Sequence, residues 1–152
     1  MNIYLACTVR GDRGAVGALR GLVQSLESAG HTVLTKHLLD DDVEGAESTL
    51  TERAVYDRDI EWLEACDILI ADASGSSFGV GFEVGYVLGR SDGTKQRVLL
   101  LYRGDRQNAI SRLIVGNAHP RCEILKYENP EDLVSRVSSL ISPSRLPEAP
   151  AP

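Results

Sequence analysis

The stretch ADASGSSFGVGFEVGYVLGR, Ala71 to Arg90, decides how the chain is read. It follows a short apolar run, Ile68-Leu69-Ile70, that reads as a buried strand. A Ser/Gly loop then opens into a helix with one acid, Glu83, in its first turns. A strand whose small-residue loop feeds a helix N-terminus predicts an anion site. Unpaired N–H groups and the positive end of the helix dipole both favour phosphate or carboxylate there. The same field is expected to keep Glu83 ionised, as a nucleophile must be. Gly79, Gly81, Gly85 and Gly89 leave backbone bare, so a substrate or a second helix can come close. The spacing is not the dinucleotide fingerprint, since Gly79-x-Gly81 is followed by Gly85, one residue too far. Pattern alone leaves a second reading open, a glycine-rich helix packed on its own sheet.

Outward from this stretch, strands and helices alternate. Ile3–Thr8 is mostly apolar and reads as a central parallel strand, broken by the loop Val9–Gly14. A helix follows from Ala15 to Ala29, with Val16, Leu19, Val23 and Leu26 on one face and Gly30 as its stop. Thr32–Thr35 is a second strand, ending at Lys36-His37, and the acidic Asp40–Ser48 reads as a solvated loop. The next helix spans Leu50–Ala65 and puts Tyr56, Asp59 and Leu63 on one side. A carboxylate on a semi-apolar face is costly, so Asp59 is either paired or points into a site. Asp57, Glu61 and Glu64 read as surface charge. Beyond the central stretch come a strand at Arg97–Tyr102, a short helix at Ala109–Val115, a strand at Cys122–Tyr127 and a helix at Pro130–Ile141. The order predicts one α/β domain over residues 1–142 with a parallel sheet and right-handed crossovers. Pro143–Pro152, with four prolines in ten residues, reads as a disordered tail.

Composition removes some functions. A net charge of -6 argues against sequence-independent binding to a nucleic acid polymer, though not against binding one nucleotide. No apolar stretch approaches the roughly 20 residues that span a bilayer. The N-terminus lacks the layout of a signal peptide. Cys7, Cys66 and Cys122 are an odd number without metal spacing, which fits a reduced, cytoplasmic protein with buried thiols. The chain has no nucleophile elbow, P-loop or metal-ligand cluster.

In a parallel sheet, ligands sit beyond the strand C-termini. That edge gathers the Thr8–Gly14 loop, Lys36-His37 and the Ser74–Gly81 loop, and so brings Arg10, Glu83 and Asp59 together. Two carboxylates beside an anion site suit cleavage of a glycosidic bond in a phosphorylated sugar. One attacks or stabilises the anomeric carbon while the other handles protons. Singly, Arg10 is an ordinary surface arginine, Asp59 a helix-to-loop bond, and Ser76 and Ser77 turn residues.

Four segments carry a resemblance beyond composition: Tyr4–Gly11 (YLACTVRG), Thr35-Lys36-His37, Asp59-Ile60-Glu61-Trp62-Leu63 with Ala65 and Asp67, and Ser77–Gly85 (SFGVGFEVG). The chain resembles the 2'-deoxynucleoside 5'-phosphate N-hydrolases of the nucleoside 2-deoxyribosyltransferase superfamily, in register from Asn2 to Ile141. The resemblance implies a flavodoxin-like three-layer sandwich with a five-stranded parallel sheet, a homodimer and no cofactor. The implied reaction splits a deoxynucleoside monophosphate into free base and 2-deoxyribose 5-phosphate. By position, Glu83 matches the family nucleophile that attacks C1', Asp59 the acid that assists the leaving base, and Tyr4 the tyrosine beside the nucleophile. Arg10, Gly11 and Ser77 match the 5'-phosphate clamp, with Gly79 beside them on the substrate side. Ser111 matches a serine lent by the neighbouring subunit. Thr8 stands where serine is common and keeps the hydroxyl, whereas Cys7 replaces a glycine and narrows the site. Phe82 stands where tyrosine is frequent, and His37 matches a histidine near the base.

The clamp separates these hydrolases from transferase relatives that act on unphosphorylated nucleosides. Three alternatives stay open: a nucleoside 2-deoxyribosyltransferase, a hydrolase of ribonucleotides such as CMP, and a nucleotide sensor without turnover. Holding both Glu83 and Asp59 near a phosphate argues against the sensor.

Overall fold

A computed structural model describes residues 1–90 and 93–142, so the expected proline-rich tail lies outside the described residues. Five parallel strands form one sheet in the order β2-β1-β3-β4-β5: β1 (Asn2–Ala6), β2 (Thr32–Val33), β3 (Ile68–Asp72), β4 (Arg97–Arg103) and β5 (Cys122–Tyr127). This is the flavodoxin-like order, and the direction of winding reverses between β1 and β3.

Alternation along each strand sends side chains to two separate cores. Ile3, Leu5, Ile70 and Leu101 point to the layer made by α1 (Val16–Ser28) and α6 (Pro130–Ile141), where Leu19, Leu22, Leu26, Leu133 and Val137 close over them. Tyr4, Leu69, Ala71 and Leu100 point to the opposite layer, against α3 (Glu52–Ala65) and α4 (Phe78–Gly89). There Leu63 comes from α3, and Val80, Val84 and Val87 come from one stripe of α4. Both layers were expected, as was the termination of α1. Gly30 takes a φ of +84°, its N–H donates to the Glu27 carbonyl, and the N–H of His31 donates to that of Leu26. A side chain other than glycine is strained at that φ, so the helix stops here.

Three expectations change. The strand expected over Thr32–Thr35 keeps only Thr32–Val33. Thr35 is buried instead, and its hydroxyl accepts from the Leu5 N–H (2.9 Å) and donates to the Leu5 carbonyl (2.7 Å), so a side chain replaces the ladder. A 3₁₀ turn, Lys36–Leu39, follows. The acidic segment expected as a solvated loop contains a short helix, α2 (Val43–Glu47), because Val43 is buried in the α1-side core. The helix expected over Ala109–Val115 divides into a 3₁₀ segment, Gly104–Ala109, and α5 (Arg112–Val115).

Candidate active site

The loops after β1 and β3 meet where the sheet changes direction. Their approach is tight: a Cβ on Gly75 would lie 2.8 Å from the Asp12 carbonyl and 2.8 Å from the Thr8 methyl. Only a glycine fits between them at position 75. Behind this loop, buried Asp72 accepts from the Ser74 hydroxyl at 2.6 Å, and Arg106 donates to the Ser74 carbonyl at 3.1 Å. Burial pushes the Asp72 carboxyl up to about 6.

The two loops, with α4 and the β2–α3 connection, enclose a cleft of about 570 Å³. The β1 and β3 loops with the start of α4 contribute Thr8, Arg10, Gly11, Ser77 and Gly79, the β2–α3 connection and α3 contribute Leu38, Glu47 and Asp59, and Glu83 is also in the wall. The expected convergence of Arg10, Glu83 and Asp59 therefore holds geometrically. Arg10 is exposed and makes no ion pair or hydrogen bond among the described residues. By contrast its neighbour Arg13 is spent on backbone carbonyls of Thr8, Leu38 and Asp40. Ser77 caps α4, its Oγ accepting from the Val80 N–H at 3.3 Å, which leaves the hydroxyl proton free to meet an anion.

Glu83 is the sixth residue of α4, facing back towards the sheet. Buried Tyr4 donates its hydroxyl to Glu83 Oε1 at 2.6 Å. Against the expected helix field, burial pushes the Glu83 carboxyl up to about 7, with Tyr4 pulling it down and the negative charge of Asp59 pushing it further up. The dipole acts within the first turn, and Glu83 lies beyond it. Tyr4 is held far above its ordinary value by burial and by the Glu83 carboxylate, so it stays a donor.

Asp59 is both paired and in the cleft. Arg58 donates Nε to Asp59 Oδ1 at 2.9 Å and an NH2 group to Glu47 Oε1 at 2.7 Å, while its guanidinium lies 5.0 Å from the centre of the Trp62 ring. Burial raises the Asp59 carboxyl against the pull of Arg58. Tyr56, expected beside Asp59, is 50% exposed and meets Phe82 at 6.4 Å instead of the core. His37 does not line the cleft. It stands behind Glu47, its Nε2 3.6 Å from Glu47 Oε1, with its ring edge-on to Trp62 at 5.6 Å.

Ser111 precedes α5 and is exposed. It lines a separate groove of about 310 Å³ with Phe78, Ile110 and Ile114, across the Ser77–Phe78 ridge from Glu83. Glu47 and Arg58 were missed from the sequence. Glu47 sat in a run of acids read as solvated, and Arg58 sat among surface charges. The adjacent opposite charges of Arg58 and Asp59 were the only available signal. All three cysteines are free thiols, and burial pushes Cys7 up to about 12 and Cys66 and Cys122 up to about 11. Among the described residues no cluster of His, Cys, Asp and Glu could hold a metal, and no helix is long and apolar enough to cross a membrane.

The pattern described as "Nucleoside 2-deoxyribosyltransferase" matches residues 3–132. A protein of Thermofilum pendens, whose name assigns it provisionally as 2'-deoxynucleoside 5'-phosphate N-hydrolase 1, is 37% identical over 93% of this chain and 95% of its own. The 5-hydroxymethyl-dUMP N-hydrolase of Danio rerio is 33% identical over 86% of this chain and 90% of its own. In fold, the chain is similar to the Clostridium botulinum CMP N-glycosidase BcmB, with a TM-score of 0.66 at 16% identity, covering 93% of this chain and 100% of that one. With most of its length matched and full-length relatives above 30% identity, the chain belongs to the nucleoside 2-deoxyribosyltransferase family.

Proposed function

We propose that the protein is a hydrolase of the N-glycosidic bond in 2'-deoxynucleoside 5'-monophosphates, releasing free base and 2-deoxyribose 5-phosphate. The observation that carries this reading is one cleft holding a tyrosine-bound, half-buried carboxylate, a second carboxylate and an unpaired arginine beside a helix N-terminus. Relatives named as N-hydrolases of nucleotides support the substrate class.

In this reading Arg10, Gly11, Thr8, Ser77 and Gly79 hold the phosphate, and the sugar lies over Glu83. Ionised Glu83 attacks C1'. The C1'–N bond breaks with its electron pair passing to the base, and Asp59 supplies the proton. A water then attacks C1' of the glycosyl ester, gives its proton to Asp59 and frees Glu83. Tyr4 keeps Glu83 oriented and partly offsets its burial. His37 acts from behind the base end through Glu47.

The enzyme works as a cytoplasmic homodimer in which Ser111 of each chain completes the phosphate clamp of the other. Phe78 is fully exposed, Leu113 is 82% exposed, and a Cβ on Gly81, Gly85 or Gly89 would touch nothing. That bare face suits close packing of another subunit, and Ser111 lies beside it.

The test is base release from dGMP, GMP, deoxyguanosine, and deoxyguanosine with added adenine, followed by chromatography. Release from dGMP alone is expected. Exchange only with a second base would make the protein a transferase, release from GMP a ribonucleotide hydrolase, and binding without release a sensor.

A further inference from the structure

The deoxynucleotide reading gives Glu83, Asp59 and the phosphate end of the cleft their roles, but leaves Glu47 only as the group in front of His37. This residue ends α2 and reaches the cleft wall beside Leu38 and Asp59. A nucleotide with its phosphate at Arg10 and Ser77 and its C1' at Glu83 extends its base away from the phosphate loops, towards this wall. Leu38 offers an apolar surface there and Glu47 a charge.

The Glu47 carboxylate is held on one side only. Arg58 and the approach of His37 both fall on Oε1. Among the described residues Oε2 has no hydrogen-bond partner, and it is not one of the buried unpartnered atoms, so it remains accessible. Arg58 is itself fixed by Asp59 and by the Trp62 ring, so Glu47 is anchored to a rigid fork rather than swinging freely. An oriented acceptor at the base end reads donors. It rewards an N–H and opposes a carbonyl, which would face it with no proton between the two oxygens.

We propose that Glu47 is a base-selecting residue whose Oε2 accepts a hydrogen bond from an exocyclic amine. The cleft therefore prefers nucleotides of amino-bearing bases to those that carry a carbonyl or nothing at that position. The proposal rests on the N-glycosidase reading of the cleft. Were Glu47 only a staple between α2 and α3, its replacement would weaken the fold and leave the order of substrates alone.

Two substrate pairs isolate the amine: dCMP against dUMP, and dGMP against dIMP. In the wild-type protein kcat/KM is expected to favour the amino member of at least one pair by roughly 10-fold or more. Glu47→Gln keeps the shape and an acceptor for Arg58, but its amide can turn an N–H to a carbonyl. The variant should still release base while the ratio falls to within about 3-fold, with the melting temperature little changed. No wild-type preference in either pair, or a preference retained in Glu47→Gln, overturns the proposal. If Glu47→Gln melts early, Glu47→Asp serves instead. It keeps the charge and withdraws the acceptor by one methylene, and an unchanged ratio there overturns the proposal too. Should the wild type release no base from any nucleotide, the hydrolase reading fails separately. Calorimetric binding of dCMP against dUMP to wild type and Glu47→Gln then decides the selection on the same terms.

Discussion

The two helical layers of this protein are built to opposite specifications. On one face α1 and α6 pack against each other and against the sheet, and α1 alone buries Val16, Leu19, Leu22, Val23 and Leu26. On the other face α3 buries a single side chain, Leu63, and the outward side of α4 is bare glycine beside exposed Phe78 and Phe82. Glu83 and Asp59 belong to the second side, and Glu47 to the α2 excursion that Val43 anchors in the first core. Stability and chemistry are thus divided by the sheet: one layer supplies apolar burial, and the other tolerates charge, exposure and an acid whose burial opposes its ionisation.

The division can be broken most directly at Glu83. Glu83→Ala is expected to lower turnover by about 10³-fold or more while leaving nucleotide binding and the melting temperature near wild type. Single-turnover assays alongside calorimetry would show it, and an active variant would end both the assignment and the contrast. On the closed face, Leu19→Ala should cost about 2–5 kcal/mol of stability, read from the denaturant midpoint, with kcat/KM of the folded fraction unchanged. Lost catalysis without lost stability there would mean the layers are not separate. Arg10→Ala sharpens the picture within the open side. KM for monophosphates should rise roughly 10- to 100-fold, whereas deoxynucleosides are affected little. Equal effects on both would remove the phosphate from the Arg10 end.

The smallest effect is on pH. A nucleophilic Glu83 must lose its proton, so kcat/KM should rise with pH through an acid limb near about 7. Asp59 raises the Glu83 carboxyl and Tyr4 lowers it, so Asp59→Asn should move the limb to lower pH and Tyr4→Phe to higher pH. The same raised value has a sign for folding. The folded state holds this proton more tightly than the unfolded chain, so stability declines as pH climbs from the ordinary 4.5 through about 7. A limb that stays put in both variants would mean that another group controls it.

Most of the frame was legible because it rests on local signals. Apolar runs marked the strands, and Gly30 marked the end of α1. The Ser-Gly loop before α4 marked the cleft, and Arg10, Asp59 and Glu83 followed from topology. What escaped reading depended on tertiary contacts. Thr35 leaves the strand because its hydroxyl finds the Leu5 backbone 30 residues away. Glu47 enters the cleft because Val43 is buried and Arg58 pulls from α3. The upward push on the Glu83 carboxyl escaped reading because a helix dipole is visible in sequence, whereas burial in the folded cleft wall is not.

The glycine content of α4 also bears on motion. Four of its twelve residues are glycine, and an interior glycine costs about 1 kcal/mol against alanine in a helix. The segment that carries Glu83 is therefore held by its three valines and by whatever presses on its bare side, not by its own helical tendency. Amide hydrogens of α4 should exchange faster than those of α1 in the isolated chain and slow down when that side is covered. If a second subunit covers that side, order in α4 becomes a property of the assembly, and Glu83 at its centre is steadied from outside the chain that encodes it.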